Sequence, residues 1–186
     1  MAFKMVVFDW DGTLLDSTGL ITRAIRRACV DAELADPGEE IASYVIGLGL
    51  ADALRHAAPG ASDQQVQKLV DSYRLHYLST DHELNLFDGV HGLLKDLNDR
   101  GIICTVATGK SRAGLDRAMD QSDTRQYFMS SRCADECHSK PHPEMLLELM
   151  AEFDTSPQDV LMIGDTTHDL LMAQSAKTHA ISVQCG

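Results

Sequence analysis

Two short runs of consecutive apolar, largely β-branched residues, Met5–Phe8 and Val160–Gly164, read as buried strands, and residues 102–107 and 180–184 follow the same pattern. Apolarity that is continuous rather than alternating marks strands covered on both faces, as in a parallel sheet. Residues 128–131 form a weaker fifth candidate. Between these runs the period changes to that of helices. Val90, Leu93, Leu94 and Leu97 share one face and stop at Gly101, a glycine suited to a helix C-terminus. Met145, Leu146, Leu149 and Met150 repeat the pattern after Pro141 and Pro143, and Leu170, Leu171 and Ala173 do so again. Alternating strands and helices predict an open, Rossmann-like α/β sheet with right-handed crossovers.

Residues 17–86 break the alternation, showing helix periods and no convincing strand. Leu20, Ile21, Ala24, Ile25, Ala28 and Cys29 form one stripe, and Val66, Leu69, Val70, Tyr73 and Tyr77 another. The segment reads as an all-helical insertion between the first strand and the rest of the sheet, punctuated by turns at Pro37-Gly38 and Pro59-Gly60. Gly47-Leu48-Gly49 reads as a helix-to-helix turn, with a loop facing a ligand as the alternative.

Composition narrows the class. With 186 residues, 44% of them hydrophobic, the chain can build one domain, or a core plus a small insertion. A formal net charge of −12 disfavours nucleic-acid backbones as partners. It leaves room for a small phosphorylated metabolite, because a bound cation and a few local lysines can invert the field inside one cleft. The five scattered cysteines, Cys29, Cys104, Cys133, Cys137 and Cys185, read as reduced thiols in a cytoplasmic protein. No run of about 18 apolar residues predicts a membrane span, and the apolar start is too short for a signal peptide. A monomer or homodimer is expected.

Ligands of open α/β sheets bind at the carboxyl ends of the strands. There the sequence places Asp9-Trp10-Asp11-Gly12-Thr13, then Thr108-Gly109-Lys110, then Asp165-Thr166-Thr167-His168-Asp169, with Lys140-Pro141 between the last two. Each has a plainer reading. Asp9 and Asp11 suit a turn, Thr108 could cap the helix starting near Ser111, Lys140 alone would be a surface lysine, and Asp169 suits a helix first turn. Together they make an oxygen-rich site fit for Mg²⁺. In such a site one carboxylate can attack phosphorus while another handles the leaving-group proton. Gly109-Lys110-Ser111 is no P-loop ending, because position 104 is Cys where glycine is required. Cys133, Cys137 and His138 lack a second ligand pair for zinc.

The run Asp9-Trp10-Asp11-Gly12-Thr13-Leu14-Leu15-Asp16-Ser17 resembles the first motif of the haloacid-dehalogenase superfamily, in its phosphoglycolate-phosphatase-like branch. Thr108-Gly109-Lys110, Lys140-Pro141-His142-Pro143 and Gly164-Asp165-Thr166-Thr167-His168-Asp169 resemble the second, third and fourth, in order. The resemblance implies a Mg²⁺-dependent phosphatase acting on a small ester such as 2-phosphoglycolate. Asp9 would be the nucleophile and Asp11 the acid and base. Thr108, Gly109 and Lys140 would hold the phosphoryl group. Asp9, the Asp11 carbonyl and Asp165 would bind the metal, with Asp169 supporting through water or through Lys140. It further implies a catalytic core of residues 1–16 and 87–186 and a helical cap of residues 17–86.

A phosphosugar mutase and a catalytically silent binding homologue are the competing readings. Two departures from the family pattern stand out. Lys177 occupies a place before the last strand that favours positive φ, at a cost of about 1 kcal/mol. The sequence also stops at Gly186, where relatives commonly continue, which predicts an uncovered sheet end with lowered stability or self-association.

Overall fold

A computed structural model describes residues 3–184, so Cys185 lies outside the described residues. Five parallel strands form one sheet: β1 (Met5–Phe8), β2 (Ile103–Thr108), β3 (Ser130–Cys133), β4 (Val160–Gly164) and β5 (His179–Ser182), in the order β3-β2-β1-β4-β5. β1 is central and buried throughout, pairing Phe8 with Val106 on one side and with Ile163 on the other. Two apolar layers sandwich the sheet. Val6, Phe8, Trp10, Leu94 and Leu115 pack on one face, and Met5, Val7, Leu146, Met162 and Met172 on the other. Side chains alternate along β1, so consecutive apolar residues supply both layers.

The weak fifth strand lies two residues later than its apolar signal. β3 itself is polar and sits at the sheet edge, while Phe128 leaves the ladder to pack against Phe8 and Trp10. β5 forms the opposite edge; its four residues are exposed, so the run at 180–184, expected to be a buried strand, is instead an uncovered edge strand that starts one residue earlier and ends at Ser182.

After β1 the chain enters four helices: α1 (Thr18–Asp31), α2 (Gly38–Tyr44), α3 (Leu50–Ala57) and α4 (Asp63–Leu78). Their apolar stripes build a separate cluster in which Ile25, Ala28, Cys29, Leu54 and Leu69 are buried. Ser62 and Gln65 cap α4 reciprocally. The segments entering and leaving this helical part meet side by side in an isolated antiparallel bridge between Leu15 and Leu86. Asp16 N–H donates to Asn85 O (3.0 Å) and Phe87 N–H to Leu14 O (3.0 Å). Among the described residues, no helix is long and apolar enough to cross a membrane.

Four more helices complete the layers: α5 (Val90–Asp99), α6 (Arg112–Gln121), α7 (Glu144–Glu152) and α8 (Thr167–Ala176). Two of their expected faces need correction. Leu93 on α5 is exposed, leaving Val90 and Leu94 as the buried positions. Leu171 on α8 is also exposed, because α8 buries His168, Asp169, Met172, Ala173 and Ala176. The polar pair His168 and Asp169 sets that face, which apolar periodicity alone could not reveal. Lys177 ends α8 at φ 62°, the left-handed region its position suggested.

Candidate active site

The strand order turns at β1. The chain runs from β1 to β2 and β3 on one side and places β4 and β5 on the other. A crevice opens at such a switch point beyond the strand carboxyl ends. Asp9 follows β1 there and donates its N–H to Ile163 O on β4 (2.8 Å). Thr108 is the last residue of β2, and Asp165 follows the last residue of β4.

Lys140 reaches this point from the loop after β3 and is 2% exposed. Its Nζ stands 2.7 Å from Asp9 Oδ1 and 2.7 Å from Asp169 Oδ1 in two close, buried ion pairs. The other Asp169 oxygen accepts from Thr166 N–H (3.1 Å) and Thr166 Oγ1 (2.8 Å), so Asp169 both starts α8 and anchors Lys140. Burial opposes the Lys140 charge, but Asp169 and Asp9 outweigh it and raise its pKa above 10.5. Burial pushes the Asp9 carboxyl well above its ordinary 3.8, against the pull of Lys140. Asp165 is raised by burial too, opposed by the hydrogen bond from Thr13 Oγ1 (2.9 Å).

Carboxylate oxygens of Asp9, Asp165 and Asp169 lie within 4.8 Å of one another. Lys140 pairs with Asp9 and Asp169 but not with Asp165, so three clustered carboxylates have one ammonium between them, an excess of acidic groups that suits a divalent cation. Asp9 Oδ2 is buried without a hydrogen-bond partner among the described residues, an acceptor left for a ligand. Gly12 makes room for the cluster. At φ 75° its backbone passes so close to Asp165 that a Cβ would stand 2.7 Å from Cγ. The residues present therefore fit a hard cation with oxygen ligands.

Asp11 belongs to a second group. Its Oδ1 accepts from Ser17 Oγ (2.6 Å) and stands 3.0 Å from Lys110 Nζ. Lys110 also donates to the Tyr77 hydroxyl (3.0 Å) and lies 4.9 Å above that ring. Burial disfavours the Lys110 charge, yet Asp11 and Tyr77 raise its pKa above 10.5. Sequence reasoning gave no site role to Ser17, Lys110, Tyr77 or Thr13. Three of them lie inside or beside quoted motifs, a usable signal. Tyr77 comes from α4, and only the folded chain brings it to Asp11.

The Gly47-Leu48-Gly49 turn joins α2 to α3 and also closes over the site. Gly49 N–H donates to Ser139 Oγ (2.7 Å), one residue before Lys140. A Cβ on Gly109 would collide with the carbonyl oxygens of Gly47 and Leu48, so Gly109 serves close packing of this turn. His168 Nε2 meets Tyr44 O at 2.9 Å, and the two rings pack at 5.2 Å. A cavity of about 560 Å³ remains between the helical segment and the sheet, reaching Asp11, Gly109 and Lys110.

Some plainer readings are also decided. Thr108 does not cap α6. Ser111 does, accepting from Gly114 N–H, while Thr108 Oγ1 accepts from Lys110 N–H (3.2 Å). Cys133 is buried in the core, and the Cys137 thiol faces Glu148. His138 is instead grouped with His142 and Glu144 at the start of α7, where Glu144 Oε2 takes both the His138 N–H and its ring (2.6 Å each).

Residues 6–183 match the family model described as haloacid dehalogenase-like hydrolase. The probable phosphatase IndB of Dickeya dadantii is 35% identical, over 98% of this chain and 81% of its own. A phosphoglycolate phosphatase of Mannheimia succiniciproducens is 26% identical, over 99% and 87%. Among solved structures, a haloacid dehalogenase-like hydrolase from Bacteroides fragilis superposes with a TM-score of 0.88, covering 99% of this chain and 89% of that one, at 24% identity.

Proposed function

The chain belongs to the haloacid dehalogenase-like hydrolases, and on that premise we propose that it is a Mg²⁺-dependent phosphatase releasing phosphate from a small organic monoester. Residues 1–16 and 87–186 form its catalytic core in this reading, and residues 17–86 its cap. The observation that carries the proposal is the split of the first two aspartates into different surroundings. Asp9 sits beside Lys140 and the carboxylate cluster, whereas Asp11 pairs with Ser17 and Lys110. Two like groups in unlike environments suit nucleophile and proton carrier.

Asp9 attacks phosphorus, forming an aspartyl-phosphate as the ester P–O bond breaks. Asp11 gives its proton to the departing alcohol oxygen. It then takes a proton from the water that attacks the acyl-phosphate, and inorganic phosphate leaves with Asp9 restored. Lys140, Thr108 and the Gly109 backbone hold the phosphoryl oxygens. Asp169 positions Lys140. The Asp9 and Asp165 carboxylates and the Asp11 carbonyl would hold Mg²⁺, which supplies charge neutralisation to the nucleophile and the phosphoryl oxygens. The cap excludes water during attack.

The named relatives, a probable phosphatase and a phosphoglycolate phosphatase, support this reaction class, and 2-phosphoglycolate is the first compact ester to try. The test measures phosphate release from an aryl phosphate and from 2-phosphoglycolate, with and without Mg²⁺, in wild type and Asp9→Asn. Magnesium-dependent release lost in the variant is expected. Release that persists in Asp9→Asn would overturn the nucleophile assignment.

A further inference from the structure

The cavity above Asp11 carries information about the alcohol half of the substrate. At about 560 Å³ it is far larger than a glycolate unit and within the range of pockets that enclose ring-sized ligands. Its walls are mostly apolar, with Ile46, Leu48, Leu50, Val70 and Tyr73 among the lining residues. Tyr73 and Tyr77 stack at 5.7 Å with rings 17° apart, adding aromatic surface along α4.

Two of the cations lining this cavity are already matched. Lys110 is paired with Asp11 at 3.0 Å and bonded to the Tyr77 hydroxyl, and Arg117 is paired with Asp81 at 3.0 Å. Arg74 also lines the cavity but is itself exposed to solvent. A carboxylate two carbons from the phosphorus would enter beside Asp11, where Lys110 is engaged, and would lose hydration next to a second carboxylate. An apolar ring in the same place gains burial against the leucines, Val70 and Tyr73.

Resting on the phosphatase reading for the reaction, we propose that the substrate is a phosphate monoester of a bulky, largely apolar alcohol bearing an aromatic or similar ring. The ring occupies the cavity beneath α4 and the Gly47-Leu48-Gly49 turn, with the ester oxygen at Asp11. A compact carboxylated ester such as 2-phosphoglycolate is the poorer fit.

The test compares 2-naphthylmethyl phosphate with 2-phosphoglycolate, both esters of primary alcohols, so that leaving-group chemistry does not decide the result. Two readouts are taken: kcat/KM of the Mg²⁺-loaded enzyme, and calorimetric binding to Asp9→Asn, which reports on the cavity without turnover. The naphthyl ester should exceed 2-phosphoglycolate by about tenfold or more in both, the scale at which apolar pockets discriminate. Val70→Lys, which puts a free cation in the wall, should shrink or reverse that ratio while circular dichroism confirms the fold. Equal or better use of 2-phosphoglycolate by wild type overturns the proposal and leaves the phosphatase reading standing. Tight naphthyl binding that Val70→Lys weakens, without phosphate release from either ester, upholds the cavity's preference and removes the phosphatase reading. Binding of neither compound overturns the proposal.

Discussion

His168 Nε2 lies 2.9 Å from the carbonyl oxygen of Tyr44, joining the start of α8 to the end of α2. The imidazole is buried and packs edge-on against the Tyr44 ring at 5.2 Å. Together with Gly109 beneath the Gly47 and Leu48 carbonyls, it holds the helical segment down on the sheet. His168→Ala removes one hydrogen bond and a ring contact, and should cost about 2 kcal/mol of stability. Gly109→Ala instead wedges the turn off the site. It should lower kcat/KM by about 10²-fold and speed proteolysis within the α2–α3 turn. Unchanged cleavage and activity in Gly109→Ala would show that the turn does not need to sit down for catalysis.

Asp9→Asn should abolish phosphate release without lowering the melting temperature of the metal-free protein. The reason is the direction of the Asp9 pKa. Burial raises it above 3.8 despite Lys140, so the charged form is the disfavoured one in the fold, and a neutral isostere relieves that penalty. Because the folded value exceeds the unfolded one, the folded protein binds more protons in that interval. The Asp9 contribution is therefore full below 3.8 and is lost as pH rises through the folded pKa. Thermal melts in EDTA across that range should show wild type losing stability with pH where Asp9→Asn does not. A lower melting temperature for Asp9→Asn at neutral pH would contradict this.

The central features of this arrangement are legible in the sequence because they are local. Four strands announce themselves as apolar runs, and the residues at their carboxyl ends come to one crevice by topology alone. Asp9, Asp11, Thr108, Lys140, Asp165 and Asp169 all stand at or beside it. What stayed hidden depends on distant pairing. Tyr77 looked like one more apolar position on α4, yet its hydroxyl meets Lys110, 33 residues away. The inward face of α8 is led by a histidine and an aspartate, so an apolar count misplaced Leu171. β3 is a polar edge strand whose apolar neighbour Phe128 drew the expectation two residues early.

Lys177 closes α8 at φ 62°, a conformation that glycine adopts without side-chain strain. Lys177→Gly should therefore raise stability, by at most about 1 kcal/mol once the greater freedom of glycine in the unfolded chain is allowed for. For a chain of this length that is a rise of about 2–4 °C in melting temperature. No rise, or a fall, would mean that unfolded-state entropy offsets the relieved strain.

Adding Mg²⁺ should stabilise the protein by a mechanism that Asp165→Asn removes. Asp9, Asp165 and Asp169 repel one another, and Lys140 neutralises only one of them. At a hundredfold excess over Kd, a cation bound only to the folded state adds about 2.7 kcal/mol, or about 5–10 °C at this chain length. The shift should grow with pH as Asp9 ionises in the metal-free protein. Asp165→Asn lowers the charge on the site and replaces an anionic ligand with a weaker neutral one, so its shift at the same Mg²⁺ concentration should be small. An equal shift in Asp165→Asn would place the cation elsewhere.

Lys110→Met tests whether Asp11 needs its partner. Both side chains are nearly buried, 9% and 11% exposed, and the ion pair spans 3.0 Å. Among the described residues, removing the ammonium leaves Asp11 with Ser17 as its side-chain partner and takes from Tyr77 the donor to its hydroxyl. As a positioning residue, Lys110 should act on proton transfer rather than on phosphate binding. The expected result is a fall in kcat of about 10²-fold, the lower end of general acid–base contributions, with the inhibition constant for inorganic phosphate unchanged. Esters with acidic leaving alcohols need less proton donation, so 4-nitrophenyl phosphate should lose less than 2-naphthylmethyl phosphate. A uniform loss across both esters, together with weakened phosphate inhibition, would move Lys110 from the proton-transfer group to the phosphoryl-binding group.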